Sequence, residues 1–139
     1  MECVFCRILR GEIAAQRVHE DDRVVAILDV NPVAPGHSLV LPREHLETWD
    51  GLSDDLAGRL AVASRSVARA VLAATGAQGY NLLVNNQRCS GQAIPHVHVH
   101  VIPRREADGV KFNWPAKGAD VASLELQAER IRQAMRSGS

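Results

Sequence analysis

The sequence predicts an α+β fold built on an antiparallel sheet, and three observations carry this. Short runs rich in β-branched residues end in turn signals. One apolar stripe at helical spacing is long enough to cover such a sheet. A second helix-period stripe follows near the end of the chain, after the strands.

Cys3 to Leu9 is apolar enough for a short helix, closed by Gly11. Arg23 to Asp29 is rich in β-branched residues and reads as a strand. Asn31 to Gly36 is a turn, because its prolines and glycine forbid a regular element. His37 to Pro42 is a second strand. A long helix is predicted over roughly Ser53 to Thr75, with Leu56, Leu60, Ala63, Val67, Val71 and Ala74 on one face. Ser53 serves as its N-cap, Asp54 and Asp55 suit the positive start, and Gly76 suits the stop. Tyr80 to Asn85 reads as a third strand and His96 to Pro103 as a fourth. A last helix is expected from about Val121 to Met135, with the stripe Val121, Leu124, Ala128, Ile131 and Met135.

The 139 residues suit one compact domain, and the hydrophobic share of 46% is ordinary for a globular chain. Sixteen basic and sixteen acidic side chains balance to a net charge of zero. That argues against a general grip on nucleic acid or an anionic membrane, although Arg130, Arg132 and Arg136 cluster late. A small anionic ligand is still open. The strictly apolar stretches, such as Val24 to Leu28, fall far short of the ~20 residues that cross a bilayer. The start has no basic region followed by an apolar core, so a cytoplasmic location is expected. Three cysteines are too few for a disulfide scaffold; in a reducing compartment a pair points to metal or redox chemistry.

Three of the six histidines fall within five residues, His96, His98 and His100. On a strand the alternation with Val97, Val99 and Val101 would stand the imidazoles in a row, about 6.6 Å apart, with the valines facing the core. A water-facing strand would accept Lys, Thr or Glu equally well, so histidine identity points to chemistry. Metal binding is one such chemistry, since neutral imidazole is a common ligand. Phosphoryl or nucleotidyl transfer is the other, with one imidazole attacking phosphorus and neighbours donating hydrogen bonds. The small loop Cys89-Ser90-Gly91-Gln92-Ala93 exposes backbone N–H groups that can cradle an anion. His37 follows a Pro-Gly turn at the head of a strand, a position that often enters a site.

The run His96-Val97-His98-Val99-His100-Val101-Ile102, preceded by Gly91-Gln92, resembles the signature of the histidine-triad family of nucleotide hydrolases and transferases. Pro35-Gly36-His37-Ser38-Leu39-Val40-Leu41-Pro42-Arg43-Glu44-His45 is similar to that family's upstream motif. The opening Phe5-Cys6-Arg7-Ile8, Gly11-Glu12-Ile13 and Glu20-Asp21-Asp22 also matches. The resemblance covers most of residues 3–104, leaving 105–139 as a C-terminal extension of one domain spanning 1–139. It implies a histidine-triad-like fold with a sheet of about five strands. It also implies a homodimer that joins sheets and packs the long helices together, with which the alanine-rich helix is compatible.

The resemblance also implies roles. His98 matches the nucleophile that forms a nucleotidyl-imidazole intermediate, its other ring nitrogen held by a backbone carbonyl. His100 and His37 match positions that contact the phosphate or the leaving-group oxygen. Asn85, Gln92 and the N–H of Ala93 match positions near the phosphate; some relatives carry a hydroxyl residue where Ala93 stands. Asp29 matches an acid that binds ribose hydroxyls, although a turn aspartate would look the same. Val4, Phe5, Ile8, Ile27 and Val30 match an apolar base pocket, and each also reads as plain core. Cys3 and Cys6 alone are a buried pair, a redox pair or half a metal site. Some bacterial relatives complete a zinc site with residues matching His45 and His96, which makes Cys3, Cys6, His45 and His96 the expected ligands of a closed structural Zn2+. Phe112-Asn113-Trp114-Pro115 loosely resembles a tail motif of one branch, and otherwise reads as a hydrophobic anchor for the last helix.

The expected function is hydrolysis at the α-phosphorus of a purine nucleotide. Nucleoside phosphoramidates or adenylated amines are the favoured substrates and dinucleoside polyphosphates come second. The competing class is a non-catalytic, zinc-stabilised nucleotide-binding or interaction module. His19 and Cys89 have no expected role.

Overall fold

The computed structural model describes residues 2–138. Five strands form one antiparallel sheet: β1 (Arg17–Glu20), β2 (Val24–Leu28), β3 (Ser38–Pro42), β4 (Gly79–Leu83) and β5 (Val99–Arg104). Their spatial order is β1-β2-β3-β5-β4. Three α-helices accompany them: α1 (Val4–Leu9), α2 (Asp54–Thr75) and α3 (Val121–Ser137).

The sheet is covered on two faces by unequal elements. The apolar stripe of α2 buries Leu56, Leu60, Ala63, Val67 and Val71 against Val24, Ala26, Val40, Val99 and Val101. The stripe stops at Val71; Ala74 is exposed. Ser53 Oγ accepts the Leu56 N–H at 3.2 Å, and Gly76 ends the helix in the left-handed region at φ 67°. On the opposite face the short α1 brings Phe5 and Ile8 onto Val25, Ile27, Leu39 and Leu41. Because β2 is covered on both faces, it reads as an unbroken apolar run and not as an alternation.

Four features depart from the sequence expectation. β1 carries only one large apolar side chain, Val18, and lies at a sheet edge, so its sequence holds no strand signal. The third strand ends at Leu83, leaving Asn85 in a loop.

The histidine run does not form a strand from His96; β5 begins at Val99. Continuing the β3–β5 register would set Pro42 opposite Val97. Pro42 has no N–H to give. Its carbonyl accepts instead from His96 Nε2 at 2.8 Å, and the Val97 N–H turns to the Leu46 carbonyl at 2.8 Å.

The last helix is present and is N-capped by Asp120, but none of its residues is buried. Trp114 is 82% exposed, so the 112–115 segment does not anchor the helix. Phe112 instead lies under the Arg104 guanidinium, which Asp108 holds through two bonds.

Candidate functional site

A cavity of about 460 Å3 opens on the α1 face of the sheet, within the usual range for small-molecule sites. Val4, Phe5 and Ile8 from α1, Ile27 from β2 and Val30 from the following turn make its apolar wall. Asp29, Asn85, Ala93, His98 and His100 supply polar groups along it. The cavity also takes in Ile13, Ala14, Ala15, Leu39 and Ile94, which single-residue sequence reading had no means of separating from ordinary core.

Two expected lining residues lie elsewhere. Gln92 is buried outside the cavity and braces the 85–94 loop: its Oε1 accepts the Gln87 N–H at 2.7 Å and its Nε2 donates to the Glu47 carbonyl at 2.7 Å. His37 is only 3% exposed and stands behind His100, whose Nδ1 is 2.9 Å from His37 Nε2. It therefore reaches the cavity through His100 and not by contact.

The turn that places His37 is tightly built. Gly36 has φ 95°, and a Cβ there would sit 2.8 Å from Thr75 Cγ2, so neither the angle nor the space admits a side chain. The Asn31 N–H bonds Asp29 Oδ1 at 2.8 Å, which leaves Oδ2 facing His37 Nε2 at 3.5 Å. Asp29 thus holds the turn and faces the site at once.

Hydrogen-bond partners fix which nitrogen of each ring carries its proton. The His96 carbonyl can only accept, so His98 donates from Nδ1 at 2.7 Å and keeps a lone pair on Nε2. The Val33 N–H can only donate, so His37 accepts on Nδ1 at 3.1 Å and carries its proton on Nε2. That proton goes to His100 Nδ1, which leaves His100 with an Nε2–H. Burial holds His37, His98 and His100 below the ordinary imidazole pKa, with His100 at about 4, lowered further by His98 and His37. The three rings are neutral near pH 7, as an attacking imidazole and neutral donors require.

Beside the cavity, four side chains converge. His45 Nδ1 and His96 Nδ1 are 3.2 Å apart, Cys6 Sγ is 3.4 and 3.7 Å from them, and Cys3 Sγ is 3.5 Å from His96 Nδ1. A tetrahedral zinc with bonds of about 2.0 Å to nitrogen and 2.3 Å to sulfur needs edges of about 3.3 Å between nitrogens and about 3.5 Å between nitrogen and sulfur. The donor set fits such an ion. His96 is oriented for it, because its Nε2–H is committed to Pro42 and its Nδ1 lone pair faces the thiols. Burial and the adjacent Cys3 push the Cys6 thiol up, so two thiolates side by side call for a cation. Asp29, His37 and His100 also cluster, but His37 Nε2 is protonated in its bonded tautomer, so this group is a hydrogen-bond chain and not a metal site.

His19 pairs with Asp21 at the surface, and Cys89 is exposed outside the cavity. A second groove, beside Arg104 and Lys111, lies away from the histidines, and its Arg104 is already paired with Asp108. Among the described residues no helix is long and apolar enough to cross a membrane.

Fold and site together define a small α+β protein with two imidazoles, His98 and His100, lining a cavity of about 460 Å3. Comparison with known proteins narrows this. The sequence profile of the HIT domain matches residues 10–107, and the chain belongs to that family. It is 38% identical over 128 residues to Adenylylsulfatase HINT3 of Arabidopsis thaliana, covering 92% of this chain and 64% of that one. The chain thus spans less than two thirds of that relative. It is 33% identical over 132 residues to Adenosine 5'-monophosphoramidase hnt1 of Schizosaccharomyces pombe, covering 94% and 96%. Among solved structures, a HIT family protein from Bacillus subtilis superposes with TM-score 0.90 at 34% identity, covering 96% of each chain. A Zn-bound histidine triad family protein from Mycobacterium smegmatis gives TM-score 0.76 at 30% identity, covering 99% and 98%.

Proposed function

We propose that the protein is a nucleotide hydrolase that cleaves at the α-phosphorus of nucleoside phosphoramidates through a nucleotidyl-histidine intermediate. The observation that carries this is the bond from His98 Nδ1–H to the His96 carbonyl, which leaves a lone pair on Nε2 of a neutral ring lining the cavity. Relatives named as an adenosine monophosphoramidase and an adenylylsulfatase support an adenylyl substrate.

In this reading the base lies against Val4, Phe5, Ile8, Ile27 and Val30, and the Asp29 carboxylate accepts from the ribose hydroxyls. Asn85 and the Ala93 N–H hold the phosphate. His98 Nε2 attacks phosphorus, forming an N–P bond as the bond to the leaving amine breaks. His100 Nε2–H donates a hydrogen bond to the departing nitrogen, which takes its proton from solvent and leaves as the free amine, with His37 behind His100 fixing that tautomer. Water then attacks phosphorus and gives up a proton to solvent, the N–P bond breaks and returns the lone pair to His98 Nε2, and the nucleoside monophosphate leaves. Ala93 brings no hydroxyl, so donors at the phosphate are confined to imidazole, amide and backbone N–H.

Native protein and His98→Ala, offered adenosine 5'-phosphoramidate and diadenosine tetraphosphate, test this through release of AMP. The native protein should turn over the phosphoramidate faster, and the variant should be slower by about 10,000-fold or more. Preference for the tetraphosphate would point to a dinucleoside polyphosphate hydrolase, and no turnover of either to a binding module.

Cys3, Cys6, His45 and His96 would hold a Zn2+, which supplies a closed structural crosslink and no chemistry at phosphorus. Metal analysis of protein purified without chelator should find about one zinc per chain, lost in Cys3→Ser/Cys6→Ser. We also propose a homodimer. Among the described residues the outer edge of β4 is unpaired, Tyr80 and Leu82 stand exposed on that strand, and none of the α3 residues is buried. Light scattering should give twice the chain mass.

A further inference from the structure

One short helix serves two sites. α1 is six residues long. Cys6, on the helix, and Cys3, its N-cap, aim their thiols at His45 and His96. Val4, Phe5 and Ile8 of the same turns form the apolar wall of the cavity. A helix this short is not stable alone and takes its order from what it touches. No side chain caps its N-terminus. Its C-terminal carbonyls are held from outside by Arg17, whose Nη2 donates to Ile8 O at 2.8 Å and Leu9 O at 3.3 Å. Its N-terminal half, which carries the thiols, is held by side chains alone, with Phe5 in the core and Glu2 paired to Arg10 at 2.6 Å.

Two further links join the sites. The Phe5 ring packs edge-on against both His96 and His98, with centroid separations of 5.7 and 5.0 Å. His96 ends at both: its Nδ1 faces the thiols and its carbonyl holds the His98 ring.

We propose that a zinc ion on Cys3, Cys6, His45 and His96 and a nucleotide in the cavity bind cooperatively through α1. The proposal rests on the metal and nucleotide readings above. Either ligand orders the helix, and the second then binds a wall already in place. Coupling between sites is reciprocal, so each must tighten the other by one and the same factor.

The test uses the native chain, with zinc and AMP as probes. Zinc-loaded protein, freed of excess metal by gel filtration, is titrated with AMP by calorimetry beside chelator-stripped protein. Stripping should weaken AMP binding by a factor within about 5–150, the usual span of such couplings. Zinc release from the loaded protein to a chromophoric chelator should slow when AMP is saturating; this arm needs no metal-free state and survives any unfolding on stripping. Amide exchange across residues 4–9 should slow with zinc alone and again with AMP. If zinc and AMP both bind, yet zinc release is indifferent to AMP, the coupling is overturned while both readings stand. If the protein takes up no zinc, or the loaded protein binds no AMP, the coupling falls together with the reading that failed.

Discussion

The two faces of the sheet are built on opposite terms. The α2 face is a 22-residue helix laying a continuous stripe on strand valines and Ala26, with a side-chain cap at one end and a left-handed glycine at the other. The α1 face is a six-residue helix, a cavity and a set of buried imidazoles. One face buries apolar area with ordinary caps; the other buries polar rings and leaves space. Stability and chemistry are thus separated by the thickness of one sheet, and substitutions on either side should show it.

The largest effect should come from the α1 face. His98→Ala should lower kcat/KM for adenosine 5'-phosphoramidate by about 10,000-fold or more, the scale seen when a nucleophile is removed. Its melting temperature should change little, and a large drop in both would erase the separation. Leu60→Ala on the other face should do the reverse. Leu60 is fully buried, so truncation should cost about 2–5 kcal/mol in urea unfolding while kcat stays near native.

Acid should act on the α1 face first. His37 and His100 sit below the ordinary imidazole value of about 6.5 because burial disfavours their charged forms, His100 at about 4. The unfolded chain therefore binds more protons in the window between about pH 6.5 and 4. The stability these neutral rings contribute is complete above that window and is lost as pH falls through it. Denaturant titrations at pH 7 and 5 should show the decline, and His37→Gln/His100→Gln should flatten it. Ser53→Ala should be milder, about 1 kcal/mol for the lost cap of α2. Trp114→Ala, on an exposed side chain, should stay within about 0.5 kcal/mol.

Much of this was legible in the residues. The α2 stripe and its caps follow from spacing alone, because a two-layer fold imposes a strict period on a covering helix. The convergence of Cys3, Cys6, His45 and His96, and of His98 and His100 on one cavity, agrees with motif spacing and family resemblance. What stayed hidden depends on relations across the chain. β1 is an edge strand held by pairing and not by pattern. Gln92 looks like a ligand-binding amide and is a brace, which shows only once Glu47 is beside it. His37 looks like a contact residue and stands one ring further back, because the turn before it reaches up with the Val33 N–H.

The end of β3 also decides something at a distance. Antiparallel strands normally engage each other's main-chain groups, and a carbonyl so engaged has a fixed direction. Proline at 42 withholds one hydrogen, the ladder stops, and the peptide groups from His96 to His98 turn out of it. The carbonyl of His96 then accepts from a ring two residues along its own chain. The free lone pair on His98 Nε2 is in that sense set by an atom the imino acid at 42 does not have. Any other residue there would offer the ladder a way to continue, and with it a competing orientation for the carbonyl that governs the ring.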